Sequence, residues 1–336
     1  MFDLLIKNGK IMDGTANPWF FSDVAVKDGK IAKIGIIDRD SAKQVIDAKG
    51  LIVAPGFVDI HTHADFILPL KNHAKILEPF IRQGITTLVT GNCGYSPAPI
   101  NPNTLEMMKK YTGFVQGGEL TWEWRDMKGY LDYIEKQGVA FNVVPLASHG
   151  AIRIYVKGFD SGPATSTEKE EMARLARQAM EQGAFGLSAG LIYPPGSYSD
   201  TEELIAICKP LKDFGGVFTC HIRGESEVLL AATREIIKVG EANGIAVEHS
   251  HLETYGRDYW SLRDRLIALH DEARARGVDI TYDIIPYTAA NTTIMAILPP
   301  WSLEGGVDKL IERLQDKEIR KRIEQDIEEA QPGWPP

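Results

Sequence analysis

The chain has 336 residues, of which 44% are hydrophobic and 25% charged, with a formal net charge of −9. This composition is that of a folded protein, and it excludes an intrinsically disordered chain, a disulfide framework (three scattered cysteines) and a long apolar membrane span. The acidic balance argues against nucleic acid or an anionic membrane as the main partner, and the start lacks a signal-peptide pattern, so we expect a cytoplasmic enzyme acting on a small molecule.

Residues 1–55 contain short apolar runs separated by turn-forming pairs. Asn8-Gly9, Asp13-Gly14, Asp28-Gly29 and Lys49-Gly50 supply the chemistry of tight turns and hairpins. The segment is too short to enclose a core of its own and needs a second layer. We therefore predict a small β domain over residues 1–55 and a separate domain over residues 56–336.

From Gly56 onward, near-continuous apolar runs alternate with longer helical stretches. The runs are residues 57–63, 86–94, 141–149, 184–190, 217–222, 245–252 and 279–287. This alternation indicates a parallel sheet covered by helices, and seven such units favour a (β/α)₈ barrel of the TIM type. No Gly-x-Gly-x-x-Gly follows any strand, which argues against a doubly wound dinucleotide-binding fold. A charged stretch, residues 307–330, is predicted to form one helix.

Six of the eight histidines fall near the carboxyl ends of these predicted strands, where active sites of such barrels form. They are His61, His63, His149, His221, His249 and His251. His61 and His63 are two residues apart on one strand, so both imidazoles point the same way, an arrangement that suits a zinc-type ion. Asp65 follows them and is either a further ligand or a loop carboxylate.

Cys93 stands in the sequence Gly-Asn-Cys-Gly at the end of the second predicted strand. A free cysteine is most often a small buried hydrophobic residue. The flanking glycines instead indicate close backbone approach at a special site and favour a thiolate ligand. With His61, His63, His221 and His251, this gives five metal-ligand candidates from four strand ends.

The motifs VAPGFVDIHTHAD, GNCG, HGAIR, GLSAGLIYPPGSYSDTEEL, HIRGE and SHLE resemble the N-acyl-D-amino-acid deacylase (D-aminoacylase) branch of the amidohydrolase superfamily. The resemblance implies a (β/α)₈ barrel with a small β-sandwich domain, and hydrolysis of a C–N amide bond by metal-activated water. It also implies one or two zinc ions, with His149 close behind the ligands. The ligands that it implies are His61, His63, Cys93, His221 and His251. Hydantoinase-type relatives bridge their two metal ions with a lysine on the fourth strand. The fourth strand of this chain has no lysine, and the resemblance implies that Cys93 takes its place.

The chain departs from the family pattern after the seventh strand. The family aspartate that moves protons lies at the end of an eighth strand, and neither is found within the 336 residues. The catalytic residue is therefore unknown, with Asp65 or Glu253 as substitutes. We expect a fragment, a truncated product, or a barrel completed by a second chain or a C-terminal segment, and an expression scar at residues 334–336.

The second departure concerns the substrate. Relatives that bind a free carboxylate have a lysine where this chain has Glu253, and a tyrosine where it has Ile285. A carboxylate near Glu253 would be repelled, unless Arg223 binds it. The residues expected to contact substrate are Tyr193, Arg223, Glu253, Tyr287 and Asn291.

Two other functions remain open from the sequence alone. One is a cyclic-amide or urea-type amidohydrolase on the same scaffold, since the carboxylate-binding set is replaced. The other is a non-catalytic metal-binding fragment or subunit, which the absent eighth strand favours.

Overall fold

Turn-forming residues divide the first 57 residues, which cluster as a unit of their own, into the strands of one sheet. Its strands are β1 (Phe2–Ile11), β2 (Phe20–Lys27), β3 (Lys30–Gly35), β4 (Ala42–Asp47) and β5 (Ile52–Val53). The strand order is β3-β2-β1-β4, and β5 also pairs with β1. β1 is antiparallel to β2 and parallel to β4 and β5. Asp28 and Gly29, both with positive φ, form the hairpin between β2 and β3.

Asn8-Gly9 does not form the predicted turn. It lies inside β1, where the register with β2 shifts between Ile6 and Gly9. Asn8 has a φ of 59°, and its side chain donates to Asp47 Oδ1 over 2.9 Å. A Cβ on Gly9 would lie 2.6 Å from Val53 Cγ2. The pair therefore serves a bulge beside a closely packed strand, which the sequence pattern cannot distinguish from a hairpin.

The second unit begins at Val58, and the computed structural model describes the chain through residue 329. Its strands are β6 (Phe57–Asp59), β7 (Ile85–Thr90), β8 (Asn142–Pro145), β9 (Ala147–Ser148), β10 (Gly186–Gly190), β11 (Val217–His221), β12 (Ala246–His249) and β13 (Ile280–Tyr282). Its helices are α1 (His73–Ile76), α2 (Glu78–Arg82), α3 (Leu105–Tyr111), α4 (Met127–Gln137), α5 (His149–Lys157), α6 (Ser166–Glu181), α7 (Thr201–Cys208), α8 (Leu229–Asn243), α9 (Arg263–Ala275), α10 (Val307–Gln315) and α11 (Lys317–Glu328).

The strands of the second unit form parallel sheets, which confirms the predicted α/β class. One sheet has the order β6-β7-β8 and the other β13-β12-β11-β10-β9. β8 and β9 together make up the third predicted strand, interrupted at Leu146. Each predicted strand is present, and neighbouring strands end at similar heights, as in the pairing of Gly190 with His221. The C-terminal strand ends therefore bring their side chains to one edge of the sheets.

Local signals explain where several helices begin and end. α6 begins with a capping box between Thr165 and Glu168. α8 ends before Gly244, whose φ is 61°. The single helix predicted for residues 307–330 is wrong: Asp316 adopts an extended conformation and its side chain caps α11 by accepting from the backbone N–H groups of Glu318 and Ile319. The predicted scar at residues 334–336 lies outside the described residues.

Within residues 1–329, no helix has both the length and the apolar character needed to cross a bilayer.

Candidate metal centre

A tight turn after β7 carries Cys93 into the site. Gly91 and Gly94 have φ values of 84° and 76°, and Cys93 itself has a φ of 52°. A Cβ on Gly91 would lie 2.2 Å from the Leu146 carbonyl oxygen, and one on Gly94 would lie 2.7 Å from the Gly190 nitrogen. Ser188 Oγ accepts from the Gly94 N–H at 3.0 Å and donates to the Gly91 carbonyl. The two glycines thus permit the backbone contacts that hold the cysteine in place.

The five ligand candidates converge at these strand ends in two groups that share Cys93. The first donor set is His61, His63 and Cys93, and the second donor set is Cys93, His221 and His251. Within each set the ligand atoms lie within 4.8 Å of one another. His61 Nε2 lies 3.1 Å from Cys93 Sγ, and His251 Nε2 lies 3.9 Å from the same sulfur. Two imidazoles and a thiolate in each set match the donors that zinc prefers.

The charges in the site favour a thiolate. Burial alone would raise the pKa of the Cys93 thiol, but His61, His221 and His251 facing the sulfur lower that pKa well below its usual range. Burial opposes the protonation of His61, yet Cys93 and Asp283 together raise its pKa. A thiolate surrounded by imidazoles is the form that binds a metal ion.

Three carboxylates lie beside the donor sets. Asp283 Oδ2 is 2.8 Å from His61 Nδ1. Glu225 Oε1 is 3.3 Å from His221 Nε2 and 3.6 Å from His251 Nδ1, and burial raises the pKa of Glu225. Asp65 is 1% exposed, and burial raises its pKa to about 7.

Sequence reasoning singled out neither Asp283 nor Glu225 as a site residue. Asp283 directly follows β13, so the strand-end rule that selected the histidines also applies to it. Glu225 lies four residues after His221 in the HIRGE motif, and only the folded loop brings it back to both histidines.

The donor sets open onto a cavity of about 960 Å³. Of the expected substrate contacts, Tyr193, Tyr287 and Asn291 line it. The Tyr193 ring centroid is 4.9 Å from that of His221, and the Tyr193 hydroxyl is 2.8 Å from Thr292 Oγ1. Among the described residues that line the cavity, none is lysine or arginine. The wall is otherwise largely apolar, with a contribution from the segment after β13.

Arg223 and Glu253 do not line this cavity in the described part of the chain. The Arg223 guanidinium donates to both carboxylate oxygens of Glu235 at 3.0 Å, and to the carbonyls of Ser197 and Ser199. Its donors are therefore engaged with α8 and the loop after β10. Glu253 is partly buried beyond the second donor set, where its charge contributes to raising the pKa of Glu225.

His149 lies in a different cluster from the five ligand candidates. It is the first residue of α5, and its Nε2 is 2.7 Å from Glu203 Oε1. Arg153, one turn later, donates to Glu203 Oε2. All three side chains are almost completely buried. This triad connects α5 to α7.

Comparison with known proteins identifies the family. A family model described as "Amidohydrolase family" matches residues 44–328. The chain belongs to the amidohydrolase family. The resemblance seen in the sequence motifs is therefore confirmed, and this amidohydrolase can be compared with individual relatives.

D-aminoacylase of Alcaligenes xylosoxydans xylosoxydans is 35% identical over 297 residues, covering 87% of this chain and 59% of that relative. A solved D-aminoacylase structure, described by its binuclear metal center, superposes with a TM-score of 0.75 at 33% identity, covering 85% of this chain and 59% of the other. The N-acyl-D-glutamate deacylase of Bordetella bronchiseptica, complexed with zinc and a phosphonate inhibitor, has a TM-score of 0.75 at 32% identity, covering 85% and 59%. The chain thus spans 59% of the length of each of these relatives.

Proposed function

We propose that zinc binds at the convergence of the five ligand candidates. Cys93, His221 and His251 form the tighter position because all three are buried and come from three different strand ends. His61 and His63 share Cys93 with that position and form a weaker second one. Several nitrogens here, including both of His221, have no hydrogen-bond partner among the described residues. Buried imidazole nitrogens without partners fit a metal ion that supplies the missing interaction.

The proposed activity is hydrolysis of a C–N amide bond in an N-acyl amino acid or a related amide. The observation that carries it is the position of both donor sets in the cavity, in a chain 35% identical to a D-aminoacylase. A zinc ion held there would supply Lewis-acid polarisation of an amide carbonyl. Tyr193 and Asn291 orient the substrate from the cavity wall by hydrogen bonds, and Tyr287 packs against it.

The cavity favours amides without a free carboxylate near the donor sets. Asp59, Glu225 and Asp283 are the acidic residues on its described wall, and that wall contains no lysine or arginine to oppose them. Arg223 is engaged by Glu235 and is not directed to a substrate carboxylate. Neutral or cationic amides avoid the repulsion that an anion meets at low dielectric.

The barrel is completed by an eighth strand between β13 and β6, from a further segment or a second chain. In the part of the chain described, each of these two strands pairs with a single neighbour. Beside these open edges lie Val58, Ile60 and Ile284, which are 55%, 47% and 63% exposed. An exposed sheet edge with apolar side chains tends to pair with another strand. The family aspartate at the end of that strand would move protons during hydrolysis. In this arrangement residues 1–55 belong to the small β-sandwich domain and residues 56–336 to the barrel.

The test is an amide hydrolysis assay on zinc-loaded and chelator-treated protein, with residues 1–336 alone and with the polypeptide extended beyond Pro336. The panel contains N-acetyl-D-amino acids, their L enantiomers, the corresponding neutral amides and a hydantoin. We expect zinc-dependent hydrolysis of linear amides by the extended protein. Hydrolysis of the hydantoin alone would instead support the cyclic-amide function, and zinc binding without any turnover would support the non-catalytic one.

A further inference from the structure

The side chain of Asp283 contacts one ligand candidate from each donor set. Its Oδ2 lies 2.8 Å from Nδ1 of His61, in the first set. Its Oδ1 accepts the backbone N–H of His251, in the second set. The backbone of Asp283 is itself held, because its N–H donates to the His249 carbonyl at 3.3 Å and its carbonyl accepts from Leu252 N–H at 2.8 Å. The carboxylate therefore has a fixed position between the C-terminal ends of β6, β12 and β13.

The contact with His61 assigns the two nitrogens of that ring. Nδ1 faces the carboxylate, while Nε2 faces Cys93 Sγ at 3.1 Å. A carboxylate accepts a hydrogen bond from an N–H group, so in the neutral imidazole the hydrogen stays on Nδ1 and the lone pair of Nε2 is left for a metal ion. With the opposite tautomer, an N–H group would face the donor set and block coordination.

The contact with His251 holds an unfavourable backbone conformation. His251 has a φ of 40°, in the left-handed region that residues with a Cβ rarely adopt. The hydrogen bond from its N–H to Asp283 stabilises the turn that aims the imidazole at Cys93. Glu225 lies near His251 and His221, but its Oε1 forms no hydrogen bond with a described residue.

We propose that Asp283 is a positioning residue that orients His61 through its ring nitrogen and His251 through its backbone, and so couples the two metal positions. The inference rests on the zinc centre proposed above and adds a residue to it. Outer carboxylates of this kind typically change metal affinity by about 10–100-fold.

The test compares zinc binding by four versions of the protein: wild type, Asp283→Asn, Asp283→Ala and the control Asp279→Asn. Asp279 immediately precedes β13, at the strand end opposite Asp283, and its side chain forms no hydrogen bond within residues 1–329. In Asp283→Asn the amide oxygen still accepts from His251, while the amide NH₂ faces His61 and imposes the wrong tautomer. Competition with a chelator measures the affinity of each zinc equivalent, and thermal unfolding of the metal-free proteins reports stability.

We expect Asp283→Asn to weaken one zinc equivalent by about 10–100-fold, Asp283→Ala to weaken both, and Asp279→Asn to match wild type. Wild-type affinities in a folded Asp283→Asn protein would overturn the positioning role alone. So would equal weakening of both equivalents in the two Asp283 variants together with a lowered melting temperature, because a merely structural residue produces that pattern. A wild-type protein that binds no zinc would overturn the proposed centre itself, and with it this inference.

Discussion

The sulfur of Cys93 lies 3.1 Å from Nε2 of His61. The segments that follow β7 and β6 therefore bring their donor atoms to the same point. Cys93 is also the one residue common to both donor sets. Cys208 in α7 is an ordinary buried cysteine for comparison: it is 0% exposed, and burial raises the pKa of the Cys208 thiol. The role of Cys93 can be tested against it.

Replacing Cys93 with alanine should therefore remove zinc from both positions. Loss of the thiolate leaves each set with two imidazoles, too few for stable zinc binding. Metal content measured by mass spectrometry after dialysis checks this, with Cys208→Ala as the control that keeps its zinc. Full zinc content in Cys93→Ala would refute the ligand assignment.

Gly91→Ala should destabilise the fold more than Gly277→Ala. The two glycines have similar φ values, 84° and 91°, so each alanine incurs about 1–2 kcal/mol for a left-handed conformation. Only at Gly91 would the added Cβ overlap a backbone atom, the Leu146 oxygen at 2.2 Å; at Gly277 nothing lies within 4 Å. The overlap should add about 1–3 kcal/mol, measured as the difference in free energy of unfolding in urea. Equal losses of unfolding free energy in Gly91→Ala and Gly277→Ala would mean that the turn at Gly91 shifts enough to relieve the overlap.

Charge in the cavity should govern substrate choice. We expect the extended protein to hydrolyse neutral or cationic amides with a higher kcat/KM than simple N-acetyl-D-amino acids. Glu253 lies outside the cavity wall, but its charge acts on Glu225, which is on that wall. Glu253→Lys should therefore narrow this gap in kcat/KM, roughly fivefold for each kcal/mol of repulsion removed. Glu241→Lys makes the same charge change on α8, where Glu241 pairs with Arg276, and should leave the preference unchanged. Efficient hydrolysis of the carboxylate substrates by wild type would contradict the argument.

The buried triad around Glu203 should make stability depend on acid pH. Burial alone would raise the pKa of Glu203, but His149 and Arg153 lower it from 4.5 to about 2. Because the folded-state pKa is lowered, the stabilisation is complete above pH 4.5 and is lost as the pH falls toward 2. The stabilisation amounts to about 3 kcal/mol.

Glu203→Gln should therefore lower the free energy of unfolding at pH 7, and its difference from wild type should shrink as the pH falls. Urea unfolding at several pH values between 7 and 3 measures both effects. Glu202→Gln is the matched control, because Glu202 is exposed and pairs with Lys238 on the surface. A difference that is constant with pH would show that the triad acts through packing alone.

The sequence predicted the strands and the ligand candidates because both follow periodic rules. Parallel strands end on one edge of a sheet, so the sequence alone predicts that His61, Cys93 and His221 lie together. Asp283 obeys the same rule, but it falls within residues 279–287, an apolar run whose pattern predicts one continuous strand. In the structure the strand ends at Tyr282, and the aspartate turns back toward His61.

Long-range partners explain the interactions that the sequence did not predict. Arg223 was a reasonable carboxylate binder, but Glu235 on the following helix engages it, and helix orientation cannot be read from residue types. His149 pairs with Glu203, 54 residues later, so its placement depends on how α5 packs near α7. Such contacts require the folded arrangement of helices around the sheet.

If zinc occupies both proposed positions, the one sulfur that they share would make metal uptake anticooperative. An ion in either set would withdraw electron density from the Cys93 thiolate and add a positive charge within a few ångströms of the other set. Whichever position fills first, the second ion meets a poorer ligand and a repulsive neighbour. A titration with zinc should accordingly show one strong and one weak step, and the singly loaded protein should prevail over a wide range of zinc concentrations.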